Sequence, residues 1–210
     1  MNADDLLAYS AACGLFARLF GAGLDHDLLC RCADGHVVEA WPFRDAGGGL
    51  DMLASVFAAL TDESLAQIER DNTVLFIGPE NPVPMWESVW TTRERLLFAD
   101  CAEDVRQAFA GAGLAAPNDG HEPADHLAFE LSFLAALLAR AGQAMEAGDE
   151  AQAQQHVDVA AAFFDAHPAR WASDCLAEVG GRAATDFYRG AALLCADTLT
   201  GLQAAFARPN

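Results

Sequence analysis

The chain contains no lysine: all 12 basic residues are arginine, set against 31 Asp and Glu, for a formal net charge of −19 over 210 residues. A field of that sign repels nucleic acid and anionic membrane, so neither is an expected partner. It favours encounter with a cationic peptide and equally suits plain solubility, and charge alone leaves those two readings open. Long apolar runs are missing too. The stretch from Leu131 to Ala139, interrupted by Ser132, stops at Arg140, short of a membrane span, and no stable membrane insertion is expected. The opening residues MNADDLLAYS carry acids where a secretory signal carries Lys or Arg, so the expected location is the cytoplasm.

Paired cysteines are also lacking. Cys13, Cys30, Cys32, Cys101, Cys175 and Cys195 are dispersed, mostly among apolar neighbours, and only Cys30-x-Cys32 is a close pair. No second pair completes a zinc set, so reduced, buried thiols are expected. Catalytic signatures are absent as well. There is no Gly-x-Ser-x-Gly, no Walker sequence and no Gly-x-Gly-x-x-Gly, and Gly47-Gly48-Gly49 has no following lysine to complete a phosphate loop.

What is present is helical periodicity. Hydrophobic residues make up 53% of the chain, which excludes disorder, and its length suits one domain over residues 1–210. Leu6, Leu7, Ala11, Leu15, Phe16, Leu19 and Phe20 recur at steps of three and four, ending at Gly21 and Gly23. Similar patterns predict helices over 24–32, around 52–60, over 64–76, 93–112, 127–147, 150–166, 171–179 and 183–206. Alternation of period two is never sustained, β-branched residues are scarce, and no fixed repeat occurs. The expected fold is all-α, a single globular bundle of about nine helices.

Two segments resist helix. One is Trp41-Pro42-Phe43 through the three glycines; the other spans 77–90, IGPENPVPMWESVW, where Pro79, Pro82 and Pro84 forbid regular helix. That second loop carries Met85, Trp86, Val89 and Trp90, so it either packs down or presents aromatic surface to a ligand. A further break, Ala115 to Gly120, suggests a hinge over 113–121.

The run HEPADHLAFEL, from His121 to Leu131, follows that break. His126 and Glu130 are spaced to share a helix face, which raises a metal-dependent or nucleotide hydrolase as one alternative. The Glu-x-x-His pairs of a di-iron bundle are missing, and no zinc set is completed, so no metal is expected. A plain helix start is the second reading: Pro123 suits a first turn, and Glu122 or Asp125 suits the positive end of a helix dipole. The third is a binding surface in which Asp125 and His126 receive an arginine or a backbone amide. From residue chemistry alone, binding ranks first.

Three places carry a resemblance to a known family. Leu75-Phe76-Ile77-Gly78-Pro79, followed by Pro84-Met85-Trp86-Glu87-Ser88-Val89-Trp90, is similar to the Leu-Phe-x-Gly-Pro and Pro-x-Trp-x-Ser-Val-Trp/Tyr segments of cytoplasmic redox-enzyme maturation chaperones of the TorD/DmsD/NarJ type. Glu122-Pro123-Ala124-Asp125-His126-Leu127 resembles their Glu-Pro-x-Asp-His motif, and Phe187-Tyr188-Arg189-Gly190 their closing helix. Asp34-Gly35 and Trp41-Pro42 also sit as in the dimethyl-sulfoxide-reductase (DmsD-like) branch. The chain departs from that branch in lacking aromatics at Asn72 or Thr73 and at Glu80, and the loop is one residue shorter.

The resemblance implies an all-helical chaperone with no enzymatic activity of its own; no cofactor is expected. Its implied partners are the twin-arginine signal peptide and apoprotein of a molybdenum (molybdopterin) oxidoreductase, held back from Tat export until the cofactor is inserted. Implied peptide-binding residues are Leu75, Phe76, Gly78, Pro79, Trp86, Asp125 and His126, with Glu87 and Ser88 added by proximity and Glu122 as a further acid for the arginines. Carboxylates beside an apolar groove suit such a peptide, because arginine pairs bidentately with carboxylate. A hinge near Pro117 to Gly120 leaves both a monomer and a domain-swapped dimer open.

Overall fold

A computed structural model describes residues 1–21, 23–34, 37–78, 81–92, 97, 100–116 and 122–207. Among them are ten α-helices: α1 (Ala3–Leu19), α2 (His26–Asp34), α3 (Gly49–Ala58), α4 (Asp62–Asn72), α5 (Glu87–Thr91), α6 (Asp100–Gly111), α7 (Leu127–Glu146), α8 (Glu150–Ala166), α9 (Ala172–Arg182) and α10 (Asp186–Phe206). A π-turn, Thr73–Ile77, follows α4, and a 3-10 turn, Pro168–Arg170, joins α8 to α9. No strand occurs among the described residues, only an isolated antiparallel bridge between Trp86 and His126. The all-α expectation holds. The helix beyond the expected nine is α5, inside the proline loop.

The core is built on α7 and α10. Phe133, Leu134, Leu137 and Leu138 of α7, and Phe187, Tyr188, Leu194 and Cys195 of α10, are all buried. Burying each large apolar side chain contributes about 2 kcal/mol against the entropy of ordering the chain. α1 and α8 pack on α7, while α3 and α9 pack on α10. Residues 127–131 of α7 are buried in succession, including Glu130, so this helix is covered on every side at its start. α7 is long and apolar enough to cross a membrane, yet most of it is buried inside the fold.

Several local deviations have physical causes. α3 starts earlier than its apolar stripe, at Gly49, because the Asp45 carboxylate accepts from Gly49 N (2.9 Å) and Leu50 N (3.0 Å). A Cβ on Gly49 would sit 2.6 Å from Gly190 O, so a glycine is required where α3 crosses α10. α10 begins at Asp186, three residues later than its periodicity predicts, since Thr185 is its N-cap. Asp71 fixes that cap, accepting from Ala184 N (3.1 Å), Thr185 N (2.8 Å) and Thr185 Oγ1 (2.6 Å). Of the thiols, Cys30 is exposed and Cys32 is buried on the same short helix, and all six cysteines are free. The hinge expected over 113–121 lies largely outside the described residues, as do Pro79 and Glu80.

Candidate functional site

After the π-turn, Gly78 N donates to Thr73 O (2.7 Å), and Val83 N donates to Leu75 O (2.7 Å). The proline loop thus doubles back along the turn that precedes it. Val83 and Met85 enter the core with Leu75, and Trp90 Nε1 donates to Pro84 O at 2.8 Å, folding the loop onto itself. Phe76 is half-buried, with its ring edge-on to Phe20 (6.4 Å) and Tyr188 (5.3 Å). Its neighbours Val74 and Ile77 face outward, 60% and 62% exposed.

The loop then meets the HEPADHLAFEL segment. Glu87 N donates to Asp125 O (2.9 Å) and Leu127 N to Met85 O (2.8 Å), closing the bridge between Trp86 and His126. Trp86, the N-cap of α5, makes no side-chain cap. Asp125 supplies it from across the bridge, its Oδ2 accepting from Ser88 N at 2.8 Å. Two segments whose family resemblance rests on separate motifs are therefore one structural unit.

His126 is the N-cap of α7, with extended backbone, and its Nδ1 accepts from Ala128 N (3.1 Å). The ring lies edge-on to Trp86 at 5.2 Å and beside Phe129 at 5.3 Å. Burial pushes its pKa from 6.5 down to about 4, so the imidazole is neutral at neutral pH. Two sequence expectations change here. Pro123 does not open the helix; it lies in the turn ahead of the cap, and the acid in the first turn of α7 is Glu130. Nor do His126 and Glu130 share a helix face, because that spacing argument requires both residues to be helical.

Glu130 instead points to a second group of buried polar residues. Trp171 Nε1 donates to its Oε2 (3.1 Å). Glu87 Oε2 pairs with His167 Nδ1 at 2.8 Å, and Arg170 lies 3.5 Å from Glu87 Oε1. Glu87, Glu130 and His167 each offer an atom within 4.8 Å of the others, the one grouping among the described residues with metal-ligand character, and His126 is not part of it. Burial, reinforced by the charge of Glu87, pushes the Glu130 carboxyl well above its usual range. Cys101, also pushed up to about 12 by burial, lies 3.7 Å from Asp125 Oδ2.

Of the ten candidate peptide-binding residues, Leu75, Glu87, Ser88 and Asp125 are wholly buried and His126 nearly so. Phe76, Gly78, Trp86 and Glu122 are half-buried, and Pro79 lies outside the described residues. Trp86 Nε1, Ser88 Oγ and Asp125 Oδ1 are buried without a hydrogen-bond partner. The structure adds Val74, Ile77, Glu130, His167, Arg170 and Trp171 to this region. The exposed pair was visible in the sequence as apolar residues flanking Leu75 and Phe76. The contacts of His167 and Trp171, far along the chain, left no signal.

A model of the nitrate reductase delta subunit family matches residues 44–177 of the chain. The Tat proofreading chaperone DmsD of Salmonella typhi is 39% identical over 104 residues, 49% of this chain and 48% of its own. This chain spans about half the length of that relative. The chaperone protein TorD of Shewanella pealeana is 25% identical over 195 residues, covering 89% of this chain and 82% of its own. A probable Tat proofreading chaperone DmsD of Haemophilus influenzae is 30% identical over 143 residues, 67% of this chain and 63% of its own.

Proposed function

The chain belongs to the nitrate reductase delta subunit family, the TorD/DmsD/NarJ chaperones, and from that membership we propose that it binds the twin-arginine signal peptide of a molybdopterin oxidoreductase precursor. In this reading residues 1–210 act as one cytoplasmic chaperone domain without enzymatic activity, and the precursor is held until its cofactor is in place. The observation that carries the reading is the bridge between Trp86 and His126, which joins the two motif-bearing segments, the first of them carrying an apolar ledge, the exposed Val74 and Ile77, on the turn tied to the loop through Leu75 O and Val83 N.

The peptide's apolar stretch packs on Val74, Ile77, Phe76 and the half-buried face of Trp86, replacing water on surface that the fold leaves uncovered. Its arginines turn toward Glu122, within the field of a chain whose net charge is −19. Leu75, Glu87, Ser88, Asp125 and His126 serve from beneath, holding the loop in shape, and Gly78 opens it. Calorimetric titration with a synthetic peptide of two adjacent arginines followed by a leucine- and alanine-rich run tests this. Binding that weakens when both arginines become glutamine supports the proposal, and the absence of any binding heat with the arginine peptide at several temperatures refutes it. Co-purification from the native cytoplasm then identifies the precursor.

A further inference from the structure

At the start of α5 and in the first turn of α7 lies a polar pair that the motifs do not account for. Glu87 and Glu130 are both fully buried, on α5 and α7. Each uses one carboxyl oxygen in a good hydrogen bond, Glu87 Oε2 with His167 and Glu130 Oε2 with Trp171. The other oxygen of each, Oε1, is buried without a conventional donor, apart from the Arg170 guanidinium 3.5 Å from that of Glu87. An oxygen of one carboxyl lies within 4.8 Å of an oxygen of the other. Two ionised carboxylates in that position repel in a medium that cannot screen them.

We propose that Glu130 donates a single shared proton to Glu87, and that this carboxyl–carboxylate bridge positions the Trp86 segment against α7. The proposal rests on the peptide-binding reading only for its consequence, since the bridge itself is a property of the free protein. A divalent cation is the competing way to join two carboxylates. The geometry favours the proton: Arg170 already brings positive charge to Glu87, and His167 Nδ1 is taken up by its hydrogen bond with Glu87 Oε2. The shifted Glu130 carboxyl agrees with this assignment.

Glu130, His167 and Arg170 are then positioning residues. They act on the ledge through Glu87, which begins α5 immediately after Trp86. The titratable and charged groups around the pair are Asp125 on the bridge, Cys101 on α6, His167 and Arg170 at the α8–α9 corner, and Cys175 with Glu178 on α9. A carboxyl raised on folding adds stability that is complete below the ordinary carboxyl range. That stability is lost as pH rises through the raised folded value. The ledge is therefore expected to loosen toward alkaline pH.

The test uses the full chain and its Glu130→Gln and Glu130→Ala variants. Infrared spectroscopy of the free wild type should show a protonated-carboxyl C=O stretch at neutral pH that Glu130→Gln removes. Amide exchange over residues 83–91 should stay slow in Glu130→Gln, which keeps a donor to Glu87, and speed up in Glu130→Ala. Affinity for the diarginine peptide should fall about tenfold in Glu130→Ala and remain near wild type, without the alkaline loss, in Glu130→Gln. Three results overturn the proposal: no protonated-carboxyl band, equal damage by both variants, or a stoichiometric divalent metal in the purified protein that Glu130→Gln abolishes. A wild type that shows the band and the exchange pattern yet ignores the peptide leaves the proton bridge standing and refutes the peptide reading alone.

Discussion

Two buried polar clusters divide the work of this fold, and they are finished to different degrees. At the end of α4, Asp71 accepts three hydrogen bonds from Ala184 and Thr185, and Asn72 Nδ2 donates to Tyr188 Oη at 2.7 Å. Neither Asp71 nor Asn72 leaves a buried side-chain atom without a partner. At the α5–α7 bridge, by contrast, Trp86, Glu87, Ser88, Asp125 and Glu130 each leave one such atom unmatched. Completed networks add to stability and specify a unique packing, while incomplete ones cost stability and persist where something else requires them. The first cluster ties α4 to the start of α10. The second underlies the proline loop, which Val83 N ties through Leu75 O to the turn bearing two large exposed aliphatics, Val74 and Ile77.

The contrast can be broken most forcefully at Asp71. Asp71→Ala removes the acceptor of three hydrogen bonds and the support of the α10 N-cap. A loss of about 3 kcal/mol is expected in urea unfolding, with peptide affinity of the folded fraction unchanged. A change in affinity of the folded fraction would show that the two clusters are not independent.

His126 makes the bridge cluster sensitive to acid. Its folded pKa lies below its unfolded value of 6.5, at about 4, so the unfolded chain binds the proton more readily between those values. Stability should therefore fall as pH drops from 6.5 toward 4, by up to about 3 kcal/mol at the lower end. His126→Asn keeps a cap acceptor for α7 and removes the titrating ring, so the acid slope of the unfolding midpoint should flatten. An undiminished slope would assign the acid sensitivity to other groups.

The smallest effect on stability, and a selective one on binding, is expected at the ledge. Val74→Ser combined with Ile77→Ser alters exposed side chains, so the unfolding midpoint should barely move. Peptide affinity in calorimetry should drop about tenfold, as lost apolar burial dictates.

The helices themselves were readable because three- and four-residue periodicity reports a buried face directly. α5 was not, since five residues after a run of three prolines are too few to show a period. Asp71 and Asn72, at the end of α4, were not legible for a different reason: they face inward to partners more than a hundred residues away, which no local pattern signals. The spacing of His126 and Glu130 suggested a shared face, and the extended backbone of the His126 cap removed it. The site's motif residues were legible by resemblance, but their burial was not. Nothing in the local pattern around Glu87 reveals that His167, 80 residues on, closes its carboxylate.

In the proposed function, the peptide binds at the turn and loop that the Trp86–His126 bridge joins to the start of α7. Hydrogen–deuterium exchange of the wild type, with and without the diarginine peptide, reads this most directly. The account predicts slowed exchange concentrated in residues 73–91 and 122–130, with little change at 183–188. Protection that spares the first two segments, or gathers at the Asp71–Thr185 cluster instead, would contradict it.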